Sequence, residues 1–269
     1  MKKRLEQTFH DISRRPLFSV FYTAGYPTLD STVSIGTALA EAGVDFLEVG
    51  IPFSDPIADG PVIQESSNVA LANGMRVERL LEDVAALRKS VDIPIFVMGY
   101  LNPVLQYGVE KFLDALHAAD IDGVILPDLP VVDFEKRYRK LFEDRELQNV
   151  FLVTPQTSDE RVRFLDGLSS GFLYAVSTAS ITGSALEVSA HRDAYLKRLR
   201  SLQLRNPLIV GFGIRNYESY ASVSEHTAGA IVGSAFLQFL GAAVAEGRGR
   251  SAEEISSFVS SIRFGKGHT

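Results

Sequence analysis

The chain has 269 residues, 46% of them hydrophobic and 22% charged, with a mean hydropathy of +0.08, a formal net charge of −6 and no cysteine. This composition suits a large buried core and excludes a disordered chain, and the acidic balance gives no reason to expect nucleic acid. Without cysteine there are no disulfides, thiolate metal sites or cysteine nucleophiles, and the longest apolar runs, 46–53 and 93–98, are far too short to span a bilayer.

The polar start Met1-Lys2-Lys3-Arg4-Leu5-Glu6-Gln7 lacks the apolar stretch of a signal peptide, which predicts a cytoplasmic protein. Residues 2–14 read as a helix ahead of the first strand. Short β-rich apolar runs then alternate with helical patterns at Leu17–Thr23, 44–51, 93–99, 123–127, 150–154, 172–177, 208–212 and 230–233. Between the first two, Asp30-Ser31-Thr32 can cap a helix that runs through Ala40 and stops at Gly43. Later segments place apolar residues three and four apart, as in Leu80, Leu81, Val84 and Leu87 or Phe112, Leu113 and Leu116, which suits helices packed on a sheet. Strands separated by helices pair in parallel, and near-continuous apolar strands are covered on both faces. Eight such units predict an α/β fold, a (β/α)8 TIM barrel with an additional N-terminal helix, in which residues 1–269 form a single domain. A doubly wound open sheet is the alternative, because periodicity does not reveal closure. The tail after Gly265 is expected to fray.

Barrel active sites lie at the C-terminal ends of the strands. None of the eight lysines (2, 3, 89, 111, 136, 140, 197, 266) falls there, which argues against a Schiff base, and all five histidines fall in helices or the tail, which argues against imidazole catalysis and histidine metal sites. Carboxylates remain: Glu48 inside the second run, Asp55 and Asp59 in the loop after it, and Asp128 after the fourth. A carboxyl within Phe46-Leu47-Glu48-Val49-Gly50-Ile51 is buried, so its pKa rises and it can exchange a proton near neutral pH; a structural carboxylate held by arginine or backbone donors is the alternative. Asp55-Pro56 and Asp59-Gly60 are ordinary turn dipeptides, but prolines stiffen the loop 52–61 beside Glu48. Asp128 reads as structural or as a partner contact. Gly211-Phe212-Gly213 and Gly233-Ser234 follow the last two runs just where barrels bind phosphate, at backbone N–H groups and a helix N-terminus. Thr178-Ala179-Ser180-Ile181-Thr182-Gly183 could close over a ligand as a lid.

The stretch from Phe46 to Gln64, with Glu48-Val49-Gly50-Ile51-Pro52-Phe53-Ser54-Asp55-Pro56-Ile57-Ala58-Asp59-Gly60-Pro61 at its centre, closely resembles the tryptophan synthase alpha subunit family. Thr23-Ala24-Gly25-Tyr26-Pro27, Met98-Gly99-Tyr100-Leu101-Asn102-Pro103, Pro127-Asp128-Leu129-Pro130, Ile181-Thr182-Gly183, Gly211-Phe212-Gly213-Ile214 and Val232-Gly233-Ser234-Ala235 extend the similarity over nearly the whole chain, in family order. The resemblance implies retro-aldol cleavage of indole-3-glycerol phosphate to indole and glyceraldehyde-3-phosphate without a cofactor. On that reading Glu48 moves protons at the indole carbon and the hydroxyl, Asp59 accepts the indole N–H, and Tyr174 positions the substrate. Tyr22, Ile63, Tyr100, Ile125 and Phe212 wall the indole, and Gly183, Gly213, Gly233 and Ser234 hold the phosphate. Asp55, Asn102, Asp128 and Pro130, with the loops around 53–60 and 178–190, face a beta subunit in an alpha2beta2 complex, and pyridoxal phosphate belongs to that partner. Ser180 stands where the family usually has glycine, which bears on lid closure. Two rivals remain: another phosphate-binding barrel enzyme, for which strand-end lysine, cysteine or aspartates on strands 1 and 5 are missing, and a catalytically weakened subunit that mainly activates its partner.

Overall fold

The computed structural model describes residues 3–10, 15–56, 59–176 and 185–265. Its strands are β1 (Leu17–Thr23), β2 (Phe46–Gly50), β3 (Ile95–Met98), β4 (Gly123–Ile125), β5 (Gln148–Asn149), β6 (Leu152–Val153), β7 (Leu173–Ala175), β8 (Leu208–Val210) and β9 (Gly229–Val232). All pairs are parallel, in the order β5-β4-β3-β2-β1-β9-β8-β7-β6. The two ends of that order, β5 and β6, are consecutive pieces of one chain segment. Gln148 and Asn149 pair with β4 while Leu152 and Val153 pair with β7, so one segment serves both neighbours and closes an eight-fold barrel. The expected fifth strand, 150–154, thus begins two residues earlier and is split in the middle.

Around it lie α1 (Lys3–His10), α2 (Ser31–Glu41), α3 (Pro61–Ala72), α4 (Val77–Arg88), α5 (Leu101–Tyr107), α6 (Val109–Ala118), α7 (Val131–Asp133), a π-helical turn (Phe134–Tyr138), α8 (Arg139–Asp144), α9 (Asp159–Leu168), α10 (Ala185–Ser201), α11 (Tyr217–Ser224), α12 (Ser234–Ala245) and α13 (Ala252–Arg263). The helix expected after Asp30 forms and ends at Gly43, whose φ of +85° suits glycine. Asp30 does not cap it, however; its carboxylate accepts from Arg79 at 2.7 Å. Residues 11–14 of the expected first helix and the tail 266–269 lie outside the described residues.

Side-chain parity sorts the core into two shells. Leu17, Phe46, Phe96, Ile125, Val150, Phe172, Tyr174, Ile209 and Ile231 fill the barrel interior. Their strand neighbours, such as Phe18, Leu47, Val97, Val124, Leu173, Val210 and Val232, pack outward against the helices. The base of the interior is plugged by α1: Leu5 is fully buried, and Phe9 packs on Phe46 and Phe172 with ring centres 6.3 and 6.0 Å apart. The plug is tied down by Arg4, whose Nε donates to both oxygens of the fully buried Asp122 at 2.8 and 3.0 Å.

Candidate active site

With the base filled, the interior formed by the described residues opens towards the C-terminal ends of the strands, and Glu48 sits below that opening. It lies in the middle of β2, level with Phe21 of β1 and Phe96 of β3. Its carboxyl is fully buried and, among the described residues, neither oxygen has a hydrogen-bond partner. Burial alone pushes its pKa up to about 8.

The contrast with the structural carboxylates is direct. Asp45 accepts from Arg15, Arg263 and the Phe18 N–H, and Asp122 from Arg4, Arg88 and the Ile95 N–H. Both stand just before or at the start of strands, at the opposite end from the mouth. An unpartnered carboxyl buried among aromatic rings is destabilising when ionised, and Glu48 makes none of the bonds that hold Asp45 and Asp122.

Asp59 reaches the same region from the loop that follows β2. It immediately precedes Gly60, the residue that opens α3, and is partly buried. Burial raises its pKa, and the nearby Tyr100 hydroxyl opposes that rise. Its main-chain carbonyl accepts from Gln64 Nε2 at 2.8 Å. Tyr174, on β7, is 3% exposed, and its hydroxyl donates to the Gly211 carbonyl at 3.3 Å. Burial first, then the negative fields of Glu48 and Asp59, raises its phenol well above the usual value. That placement demands glycine at 211, where a Cβ would come within 1.9 Å of the Tyr174 hydroxyl.

The residues expected to wall the ring fall in different layers of the barrel. Ile125 is fully buried in the interior, and Phe212 stands edge-on to Tyr174 at 6.4 Å. Tyr100 is buried and leans on Phe53 at 5.2 Å. Ile63 is half-buried on the first turn of α3, packed towards the barrel–helix layer. Tyr22 does not face the interior: it points outward and its hydroxyl donates to the Thr32 carbonyl in α2 at 3.1 Å. Its neighbour Phe21 faces inward instead, close to Gly50 and 3.6 Å from where a Cβ on Gly233 would stand. Met98, Leu152 and Val176 are half-buried against the same inner shell and were likewise not singled out from sequence.

The two glycine turns meet, because β8 and β9 are paired neighbours. Gly213 takes a φ of +78°, and Gly233 opens α12 with Ser234 exposed in its first turn. The first-turn N–H groups of a helix lack intrahelical acceptors and carry its positive end, which suits an anion. Gly183, with Thr182 and Ser180 of the expected lid, lies outside the described residues, as do Ile57 and Ala58. At the rim, Asp55, Asn102, Asp128 and Pro130 are all exposed. Asp128 also accepts the N–H of Leu101 at 2.8 Å, capping α5. Two grooves of about 460 and 470 Å³ lie on the helical layer and take no part in this arrangement.

A closed parallel barrel whose one open end lies over a buried carboxyl has the architecture of the (β/α)8 enzyme class. Residues 10–262 match the family described as tryptophan synthase alpha chain. A relative of that name from Christiangramia forsetii is 51% identical over 224 residues, covering 83% of this chain and 88% of the relative, and one from Flavobacterium psychrophilum is 47% identical over 248 residues, covering 92% and 95%. The crystal structure of tryptophan synthase alpha chain from Legionella pneumophila superposes with a TM-score of 0.87 at 33% identity, covering 98% of this chain and 97% of that one. The chain belongs to the tryptophan synthase alpha chain family. It is accordingly a lyase of tryptophan biosynthesis that cleaves indole-3-glycerol phosphate to indole and glyceraldehyde-3-phosphate by a retro-aldol reaction. Among the described residues no helix is long and apolar enough to cross a membrane.

Proposed function

We propose that Glu48 is the acid and base of this cleavage and Asp59 its electrostatic partner. The observation that carries the reading is the buried Glu48 carboxyl with both oxygens unpartnered among the described residues. Held protonated at neutral pH by burial, it delivers its proton to the indole carbon bearing the side chain, which leaves the ring cationic. The ionised Asp59 accepts the ring N–H and stabilises that charge. The Glu48 carboxylate then removes the proton of the hydroxyl on the adjoining side-chain carbon. As that carbon becomes a carbonyl, the bond to the ring breaks, its electron pair returns to the ring, and indole and glyceraldehyde-3-phosphate separate.

Tyr174 positions the substrate; Phe21, Tyr100, Ile125 and Phe212 wall the ring. Main-chain groups at Gly183, Gly213, Gly233 and Ser234 hold the phosphate. The steps consist of proton transfers between the substrate and carboxyl groups of this chain, so the subunit works without a cofactor of its own, as one cytoplasmic barrel domain. Asp55, Asn102, Asp128 and Pro130 form the face that meets a beta subunit in an alpha2beta2 complex, where pyridoxal phosphate resides. The exposed Leu105 and Val132, 49% and 59% accessible, lie within the same two rim segments and add apolar area to it. Glu48→Gln, assayed for indole release alone and with a beta subunit, should lose at least about 100-fold in kcat at little changed KM; normal turnover would remove Glu48 from the mechanism.

A further inference from the structure

We propose that Thr23 and Ser66 are positioning residues, whose buried pair of hydroxyls fastens the start of α3 to the end of β1 and so sets where Asp59 stands relative to Glu48. The proposal rests on the role given to Asp59 above. Asp59 lies in a loop, two residues ahead of α3, and loop-borne groups are placed less accurately than groups on strands unless neighbours fix them. What places the helix therefore places the residue that leads into it.

Apolar packing does little of that work. Of the twelve residues of α3 the buried ones are Ser66, Ser67 and Ala70, with Val62 and Ile63 only partly buried, whereas α4, of the same length, buries Leu80, Leu81, Val84 and Leu87. Hydrogen bonds to β1 and the loop after it take over. At the far end of α3, Asn73 Nδ2 donates to the carbonyls of Gly25 and Pro27, both at 2.9 Å. At the near end, the hydroxyl oxygens of Thr23 and Ser66 lie 2.7 Å apart, and each residue is 1% exposed.

The direction of that bond follows from its neighbour. Ser66 donates its only hydroxyl proton to the Ile63 carbonyl at 2.8 Å, so Thr23 is the donor to Ser66. The Ile63 N–H in turn donates to the Gly60 carbonyl at 3.1 Å. The relay thus runs from a barrel strand through Ser66 and Ile63 to the residue after Asp59. Thr23 closes β1 level with Gly50 of β2, two positions beyond Phe21, which is level with Glu48. Both carboxyl groups are thereby referred to one pair of strands. Buried, and with its hydroxyl committed, Thr23 acts through Asp59 and not on the substrate.

The test compares Thr23→Val, which keeps the shape and removes the donor, with Thr23→Ser, Ser66→Ala, the pair Thr23→Val with Ser66→Ala, and Asp59→Asn. Readouts are kcat and KM for indole release and the affinities for two analogues without the reactive hydroxyls. These are 3-indolylpropyl phosphate and its benzothiophene counterpart, which has no N–H for Asp59 to accept. Urea unfolding checks that each variant is folded in the assay, and either single variant suffices if the other is not. Thr23→Val and Ser66→Ala should each lower kcat/KM about 10- to 100-fold, as misplacing a group by about 1 Å does. The pair should fall no more than about twofold below the worse single variant, because both break one relay. Thr23→Ser, which restores the donor, should recover most of the loss. Both disruptive variants should weaken the indole analogue about tenfold, the usual worth of a hydrogen bond to a charged group, and the benzothiophene less than about twofold. Equal losses for the two analogues, additive losses in the pair, or Thr23→Ser as poor as Thr23→Val would overturn the proposal. If Asp59→Asn weakens the indole analogue alone while Thr23→Val and Ser66→Ala change nothing, the fastening fails and Asp59 keeps its role; if Asp59→Asn weakens neither analogue, the role of Asp59 fails with it.

Discussion

Glu48→Gln should stabilise the protein, and increasingly so as the pH rises. In the unfolded chain the carboxyl titrates at its ordinary value near 4.5, whereas in the folded barrel it titrates at about 8. Below about pH 4.5 both states are protonated and the group leaves folding unaffected. Between the two values the unfolded chain has released a proton that the folded one retains, so folded stability falls as pH rises and stops falling above about 8. The two values lie about 3.5 apart, and at about 1.4 kcal/mol for each pH unit this single side chain costs about 5 kcal/mol by pH 9. Glutamine keeps the shape without the charge, so every other titrating group cancels in the comparison. Urea unfolding of the two proteins in half-unit steps from about pH 5 to about pH 9 should give a stability difference that climbs with a slope near 1.4 kcal/mol per pH unit and then levels off. Parallel stability curves would mean that Glu48 is solvated or paired in the folded protein, and the reasoning about its proton would be wrong.

The same titration should appear in catalysis as a fall of kcat/KM above about pH 8, where the free enzyme loses the proton it must deliver; a profile flat to about pH 9.5 would contradict this. Phe21→Leu should reduce kcat/KM by roughly tenfold through the recast indole wall. Tyr22→Phe should leave turnover intact while costing about 1 kcal/mol of stability, as read from an unfolding curve, because it deletes a buried hydrogen bond in the outer layer; the reverse pattern would invert the assignment of the two faces of β1. Gly211→Ala should force Tyr174 aside and cost on the order of 100-fold in kcat/KM, the usual consequence of misplacing a positioning group by about 1 Å; near-normal kinetics would show that Tyr174 is not needed where it stands.

The barrel and its buried acid were readable because they leave one-dimensional traces. Eight apolar runs at regular spacing betray parallel strands, and a glutamate inside one of them conflicts so strongly with its neighbours that chemistry is the economical explanation. Which face of a strand points inward was not readable in β1. Phe18, Val20, Phe21 and Tyr22 are all apolar in a strand covered on both sides, so there is no alternation to fix the parity, and Tyr22 stood in for Phe21. Only pairing with β2, which sets Phe21 beside Glu48, resolves it. The cap expected from Asp30 failed for a similar reason: Arg79, far along the chain, competes for its carboxylate. Asp128 could be read as structural or as partner-facing; its bond to the Leu101 N–H shows one structural use of it, in a loop whose purpose is invisible until β3 and β4 lie side by side.

The helix that stoppers the base of the barrel makes the enzyme a blind vessel. Phe9, Phe46, Phe96 and Phe172 close the bottom with rings in mutual contact, their centres 5.2 to 6.3 Å apart. With Glu48 in the proposed role, indole released above it meets no rear exit among the described residues and leaves past the rim that carries Asp55, Asn102 and Asp128. Whatever sits on that rim controls where the product goes.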